Sequence, residues 1–332
     1  MAMLADTLIT TGGSAVKGQR EDLANWVSRI DPAETPVWAW CGSGTATNKG
    51  AHDWQTVALT GPVNTAMAEG DIFTNEAVKL TTRLTNACQI ASRVYGVSGT
   101  AQAVDTAGNT GSLNFQRLHK GLEMRKGLEL MLIGPQASSA TDPRVCAGFQ
   151  AFAGTASVGT GGTTSLGTGL QAVVQGTERA QTVDLMNDQL RAAWTAGAQI
   201  GLFFMSAAQK LAFDAVVPLD GIGDNNVALT ANGATIATTV AVWKSTFGDV
   251  KVVMDRIMDE QGGYGQQMIL GFDERSQYRP KICPLPGRSF VTTPVAKQYD
   301  ADREAVIWEG TLEVPNPKAV MLIAALSDGF AS

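Results

Sequence analysis

The sequence has few of the residues from which catalytic and metal sites are usually built. Its 332 residues include two histidines, His52 and His119, and four cysteines, none of which forms a CxxC pair. A zinc site needs about four ligands, which usually stand at short spacings in the chain. The spacing therefore predicts no metal site and no cofactor. We expect the cysteines to be buried, reduced thiols.

The sequence is also poor in charge and has no long apolar run. Charged residues make up 17% of the chain, hydrophobic residues 44%, and the formal net charge is -6. A net negative chain is not expected to act mainly by neutralising phosphates. No run of 18 apolar residues predicts a membrane span, and residues 1–13 lack the pattern of a secretory signal. We therefore expect the protein to stay in the cytoplasm where it is made.

The common signatures of enzymes are missing as well. The string nearest to a phosphate-binding loop, residues 44–50, lacks the second glycine and the hydroxyl residue that such a loop requires. The glycines at 159–162 do not match a dinucleotide fingerprint, and no GxSxG motif is present. The sequence thus predicts a protein that is not an enzyme. A cytoplasmic hydrolase with an unrecognised site is the alternative from another class.

The first half of the chain predicts extended parts. Residues 1–45 read as an arm, with a helix from Arg20 to about Ile30 that Asp31-Pro32 breaks. Residues 46–100 read as a hairpin, whose second strand alternates apolar and polar residues from Val78 to about Val97. Twenty extended residues reach roughly 65 Å, more than one small lobe needs. The hairpin is therefore predicted to lie across a neighbouring subunit.

The second half predicts a long helix and a compact lobe. Ser112 to Ile133 reads as a helix stopped by Gly134-Pro135, and its apolar stripe changes face halfway along. After a glycine-rich loop at 154–169, helices alternate with strands from residue 182 to residue 271. We expect the core of this lobe to include Leu190, Trp194, Phe203 and Phe213. Two strands, at about 306–314 and 319–325, close the chain.

Local strings, in this order, resemble the tailed-bacteriophage major capsid protein family, whose fold is shared with encapsulins. The resemblance is carried by Arg20-Glu21-Asp22-Leu23, Ile30-Asp31-Pro32, His52-Asp53-Trp54-Gln55-Thr56, Ala68-Glu69-Gly70-Asp71, Thr82-Arg83-Leu84-Thr85-Asn86, Val97-Ser98-Gly99-Thr100, Val104-Asp105-Thr106-Ala107-Gly108, Trp194-Thr195-Ala196-Gly197, Asp249-Val250-Lys251-Val252-Val253 and Thr311-Leu312-Glu313-Val314.

The resemblance implies an α+β major capsid fold. Its parts would be an N-terminal arm (1–45), an E-loop hairpin (46–100), a P-domain (101–178) with the spine helix at 112–133, an A-domain (179–300), and closing strands of the P-domain (301–332). The implied function is assembly into the hexamers and pentamers of an icosahedral or prolate phage head around double-stranded DNA. An encapsulin-like bacterial compartment is the structural alternative.

The implied partners are copies of the same chain, a portal, a separate scaffold or none, decoration proteins and weakly held DNA, with no membrane. The protein would be made in the bacterial cytoplasm and end in the virion. Basic residues of the spine helix are expected to form a solvated face, with Glu123 and Lys126 as an ion pair. The hypothetical inter-subunit contacts are Arg20, Trp54, Glu69, Asp71, Arg83, Arg93, Arg117 and Lys126.

Overall fold

The computed structural model describes residues 29–47, 50–63, 66–72, 75, 77–104, 112–217, 229–230, 233–234, 242–261, 263–297 and 299–327. Among these residues, no helix combines the length and the apolar character that crossing a bilayer requires. The predicted arm helix from Arg20 to Ile30 falls almost entirely outside these ranges.

The secondary structure mixes helices and strands, which confirms the predicted α+β class. The helices are α1 Pro36–Trp40, α2 Gly99–Ala103, α3 Ser112–Ile133, α4 Phe149–Phe152, α5 Val183–Thr195, α6 Ala207–Val216, α7 Arg256–Gln261 and α8 Gly263–Gln266. The strands are β1 Gly42–Ser43, β2 Ala51–Thr56, β3 Thr82–Ala87, β4 Gln89–Ser98, β5 Thr155–Ser157, β6 Ile200–Met205, β7 Leu229–Thr230, β8 Gly233–Ala234, β9 Val242–Ser245, β10 Gly248–Met254, β11 Ile269–Asp273, β12 Lys281–Pro284, β13 Val291–Val295, β14 Ala301–Glu313 and β15 Val320–Ile323.

A six-stranded sheet, ordered β5-β15-β11-β6-β10-β9, lies at the centre of the molecule. Its two faces enter different cores. Phe204 of β6 and Leu322 of β15 join the core that contains the C-terminal half of α3. Phe203 and Ile323, their neighbours along the same strands, join a second core beneath α5 and α6. Because both faces are covered, these strands are continuous apolar runs without polar alternation.

A five-stranded sheet is organised around the 13 residues of β14. One edge of β14 pairs with β4, from Ala301 opposite Ser98 to Gly310 opposite Gln89. The other edge pairs with β13 and then with β12.

The two sheets do not follow the predicted domain boundary at residue 300. The strands β12 and β13 precede residue 300, whereas β15 follows it and lies in the six-stranded sheet. Each sheet thus takes strands from both sides of residue 300, and the division into domains stays a proposal.

The long helix α3 has the predicted bounds, Ser112 to Ile133. Its C-terminal stripe, which includes Met124, Leu128 and Leu132, is buried in the core. Its N-terminal stripe is less covered, since Leu118 is 63% exposed and Phe115 and Leu122 are partly buried. The change of face predicted from the sequence therefore separates a half that is buried in the core from a half that the described residues cover only in part.

The alternation predicted from Val78 to Val97 does not hold as one strand. β3 ends at Ala87 and β4 begins at Gln89, with the buried Cys88 between them. In β3 the even-numbered Leu84 points inward. In β4 the odd-numbered Tyr95 is buried, while the even-numbered Ile90 and Val94 are half exposed. The inward face changes at Cys88 because β3 pairs with β2, whereas β4 pairs with β14.

The predicted core of the second lobe is correct except at Trp194. Leu190, Phe203 and Phe213 are buried, but Trp194 is 53% exposed and rests against Phe247, with 6.4 Å between the ring centroids. The side of α5 that carries Met186 and Leu190 faces the sheet, and Trp194 lies at its border. The prediction of a buried Trp194 was therefore wrong.

We predict that Phe203→Ala lowers the free energy of unfolding of the unassembled subunit by about 3–5 kcal/mol, because it opens a cavity in a closed core. The matched variant Trp194→Ala, which truncates a border ring, is expected to cost less than about 1 kcal/mol. Urea unfolding followed by circular dichroism measures both values. Equal losses of unfolding free energy in the two variants would contradict the assignment of Phe203 to the core and of Trp194 to its exposed border.

Candidate interaction surfaces

The chain between β2 and β3 exposes large apolar side chains. We define residues 57–81 as the hairpin segment. In it, Leu59 is 91% and Leu80 is 85% exposed. The other exposed apolar residues of the segment are Val57, Val63, Met67, Ile72 and Val78. Single exposed apolar residues are ordinary, but a run of them along one segment marks a surface that binds another chain.

Three of the predicted contact residues lie in the strands and the turn of this hairpin. Arg83 forms an ion pair with Asp53 across the β2–β3 ladder. Asp71 lies on the exposed turn that Gly70 forms with a φ of 83°, and its carboxylate accepts the N–H of Ile72 at 2.8 Å. Glu69 is exposed beside it on the same turn. These charges accompany the apolar segment, and their contact with another subunit stays a prediction.

The remaining hairpin residue, Trp54, packs inside its own subunit. It is 9% exposed, and its ring centroid lies 5.7 Å from that of Phe152. Its indole Nε1 is buried without a hydrogen-bond partner. Arg20, the predicted contact in the arm, lies outside the described residues. The structure therefore assigns Trp54 an anchoring role at the base of the hairpin, and its contact with another subunit stays a prediction.

Arg117 ties the exposed half of α3 to the five-stranded sheet. Its guanidinium donates to both carboxylate oxygens of Glu304 on β14, from Nη2 to Oε1 at 2.8 Å and from Nε to Oε2 at 3.1 Å. The hydroxyl of Tyr95 on β4 lies 3.3 Å from Nε and also donates to Glu304. Hydrogen bonds from Arg117 hold the pKa of Glu304 below its usual value. This bidentate pair fixes the angle between α3 and the sheet.

Arg93 and Lys126 lie on one charged groove of about 420 Å³ between β4, α3 and α7. Lys126 donates to Glu260 of α7 at 3.0 Å. The predicted pair of Glu123 with Lys126 is replaced by Glu123 with Lys120 at 2.8 Å, because Lys126 turns toward α7. The structure thus brings together two predicted contact residues that are 33 positions apart in the chain.

A second groove, of about 660 Å³, runs beside the N-terminal half of α3. Its lining combines apolar side chains with two arginines, namely Leu118, Leu122, Trp38 and Phe290 with Arg117 and Arg125. An apolar lining that includes cations suits an apolar segment that also carries acidic residues, as the hairpin segment does. We call this groove the α3 groove.

A buried pair of carboxyl groups was not singled out by the sequence. Glu129 of α3 accepts the backbone N–H groups of Val37 at 2.8 Å and Trp38 at 2.7 Å, which start α1. Asp255 lies beside it, and neither residue is exposed. Burial raises the pKa of both carboxyl groups, and the charge of Asp255 raises that of Glu129 further, to about 8. Only contacts between distant segments could have revealed this pair.

Among the described residues, His52, Cys283 and Glu313 place their donor atoms within 4.8 Å of one another. They come from β2, β12 and β14, and 261 positions separate His52 from Glu313. Spacing along the chain gave no indication of this group, because its members are distant in the sequence. Cys88, Cys146 and Cys283 are buried and form no disulfide, as predicted, whereas the prediction of burial was wrong for Cys41, which is only partly buried.

A two-sheet body with a projecting apolar segment and an uncovered helix face is typical of a subunit that associates with other chains. The chain belongs to the SU10 major capsid protein family, whose family model matches residues 9–327. A curated relative, the major capsid protein of Escherichia phage Phieco32, is 33% identical over 140 residues. That match spans 39% of this chain and 40% of the relative's length.

The fold is similar to solved shell structures. The capsid asymmetric unit of cyanophage A-1(L) matches with a TM-score of 0.61 at 14% identity, covering 96% of this chain and 98% of that chain. The SrpI encapsulin complex of Synechococcus elongatus PCC 7942 matches with a TM-score of 0.58 at 12% identity, covering 93% and 95%. These likenesses confirm the predicted major capsid fold, which phage heads and encapsulins share.

We predict that Glu129 makes the subunit less stable as pH rises. Its pKa in the folded state, about 8, exceeds the usual glutamate pKa of 4.5. The folded state therefore holds the extra proton between these values, and the associated stability is lost as pH climbs through about 8. One such group lowers the free energy of unfolding by at most about 1.4 kcal/mol for each unit by which the pH rises. Urea unfolding from pH 5 to pH 9 measures the slope.

The variant Glu129→Gln is expected to flatten this pH dependence, whatever it does to stability at a single pH. Glu123→Gln, which changes an exposed glutamate on the same helix, is the matched control and should leave the slope as it is. An unchanged slope in Glu129→Gln would show that Glu129 does not hold the proton.

Proposed function

We propose that this chain is the major shell subunit of a phage head, which assembles into hexamers and pentamers around double-stranded DNA. The observation that carries the proposal is the hairpin segment, whose apolar side chains have no cover within the subunit. Family membership supports the same function. The relative from Escherichia phage Phieco32 is itself described as a major capsid protein.

The hairpin segment and the α3 groove are complementary in character. Fully burying one Leu or Val side chain is worth about 1.5–3 kcal/mol. Several such residues on one segment therefore supply enough free energy to hold subunits together after the entropic cost of association. We propose that the hairpin segment of one subunit covers the α3 groove of the next, with Glu69 and Asp71 near Arg125. The half-exposed Ile90 and Val94 of β4 extend the contact surface.

The alternative of an encapsulin-like compartment shares the fold but has less support. The encapsulin and cyanophage structures match this chain about equally well, so the fold does not separate them. The family model and the curated relative both favour a phage head.

We also propose that the protein has a structural, non-enzymatic role, and that it assembles in the bacterial cytoplasm and ends in the virion. The partners would be a portal, a separate scaffold or none, and decoration proteins.

Contact with DNA is proposed to be weak and without sequence preference. The chain has 31 acidic and 25 basic side chains. Several of the basic side chains are already engaged within the subunit, such as Arg117 with Glu304 and Lys126 with Glu260. Electrostatic affinity for DNA grows with the number of phosphates that a protein neutralises. A shell with this charge balance would enclose DNA without holding it tightly.

We predict that Leu59→Ser combined with Leu80→Ser abolishes closed shells while the subunit still folds. Both side chains are almost fully exposed, so the free energy of unfolding is expected to change by less than about 0.5 kcal/mol. The association between subunits, by contrast, loses apolar burial at every copy. Negative-stain microscopy and sedimentation velocity of the expressed protein measure particle formation.

The matched control is Leu59→Met combined with Leu80→Met, which keeps apolar surface at both positions and should retain shells. Normal shells from the serine variant would contradict the role of the hairpin segment. A wild-type chain that sediments only as a small oligomer would contradict the proposed function as a whole.

A further inference from the structure

The side chains of His52, Cys283 and Glu313, here called the HCE triad, converge at the base of the hairpin. His52 Nε2 lies 3.0 Å from Glu313 Oε2, and Cys283 Sγ lies 3.5 Å from the same oxygen. An imidazole, a thiol and a carboxylate are the three side-chain types that zinc proteins use as ligands. We propose that the HCE triad is a zinc site that joins β2 to β12 and β14.

Two separations between the donor atoms are close to those around a tetrahedral zinc ion. Zinc lies about 2.0–2.1 Å from nitrogen, about 2.0–2.2 Å from carboxylate oxygen and about 2.3 Å from sulfur. Tetrahedral angles then place nitrogen and oxygen about 3.3 Å apart, and sulfur and oxygen about 3.6 Å apart. The corresponding distances in the triad are 3.0 Å and 3.5 Å, and all three donor atoms lie within 4.8 Å of one another.

The neighbours of the triad hold the ligands in place. Lys281 donates to Glu313 Oε1 at 3.2 Å, which leaves Oε2 directed at the histidine and the cysteine. Gly44 makes room for the sulfur, because a Cβ at that position would lie 2.4 Å from Cys283 Sγ. Such outer contacts orient metal ligands and are worth about 10–100-fold in affinity. The side chains of His52 and Glu313 are each 15% exposed, so water can supply the fourth ligand.

Binding requires one proton to leave the site. In the metal-free protein the thiol of Cys283 lies 3.5 Å from Glu313 Oε2 and donates to it. Zinc binds cysteine in its thiolate form. Each zinc ion therefore displaces the thiol proton into solvent, and His52 Nε2 and Glu313 Oε2 supply the other two ligand atoms.

Zinc that binds only the folded state raises the unfolding temperature. The ion would clamp the base of the hairpin to the five-stranded sheet.

The experiment titrates metal-free full-length protein with zinc chloride in a calorimeter and with cobalt(II) chloride in a spectrophotometer. We expect one zinc ion per subunit with a Kd below about 10 μM and a thiolate-to-cobalt absorption band. Cys283→Ala and His52→Gln should weaken zinc binding by more than about 100-fold, and Cys283→Ala should lose the band. The variants must keep the wild-type circular dichroism spectrum, which shows that they fold.

The chain offers matched controls for both residue types. Cys146→Ala removes a buried thiol that lies outside the triad, and His119→Gln removes the other histidine, and both should bind zinc as the wild type does. Absence of stoichiometric zinc binding, or wild-type affinity in Cys283→Ala, would overturn the proposal and leave a hydrogen-bonded ion pair. The result is independent of shell assembly, because binding is measured per subunit.

Discussion

Burial of the central sheet on both faces is the constraint on which the rest of the structure depends. Strands β6, β11 and β15 send alternate side chains into two separate cores, one with α3 and one with α5 and α6. Two layers of helix are thereby used to cover a single sheet. The hairpin segment, the outer face of β4 and the N-terminal half of α3 lie beyond these layers. Within the part of the chain that the structure describes, these surfaces keep large apolar side chains exposed.

Helix α3 connects these parts through polar side chains at three points. Glu129 binds the start of α1, Arg117 binds Glu304 of β14, and Lys126 binds Glu260 of α7. Only the first of these contacts is fully buried, and burial there raises the pKa of Glu129 because a charge is costly away from water. The other two are partly exposed and fix orientation more than they add stability. The helix thus acts as a strut whose direction relative to both sheets is set by paired side chains.

The sequence predicted those features that depend on neighbouring residues. The bounds of α3 follow from its stop signal. Thr182 and Ser206 cap their helices by accepting N–H groups three residues ahead, as threonine and serine commonly do. The periodicity of apolar residues gave the wrong buried face at two places. At Cys88 the partner strand changes from β2 to β14, and Trp194 lies at the border of the buried face of α5. In both places a distant element, β14 or the edge of the sheet, decides which side chains are buried. The HCE triad and the Glu129 pair exist only through such distant contacts.

The central claim is that the surfaces left open by the subunit are covered by copies of the same chain. A cryo-electron microscopy structure of the assembled particle tests it most directly. The account predicts that Leu59, Leu80 and Leu118 lie within about 4.5 Å of apolar atoms of a neighbouring subunit, with the hairpin segment seated on the α3 groove. An assembled particle in which these three side chains still face solvent would contradict it.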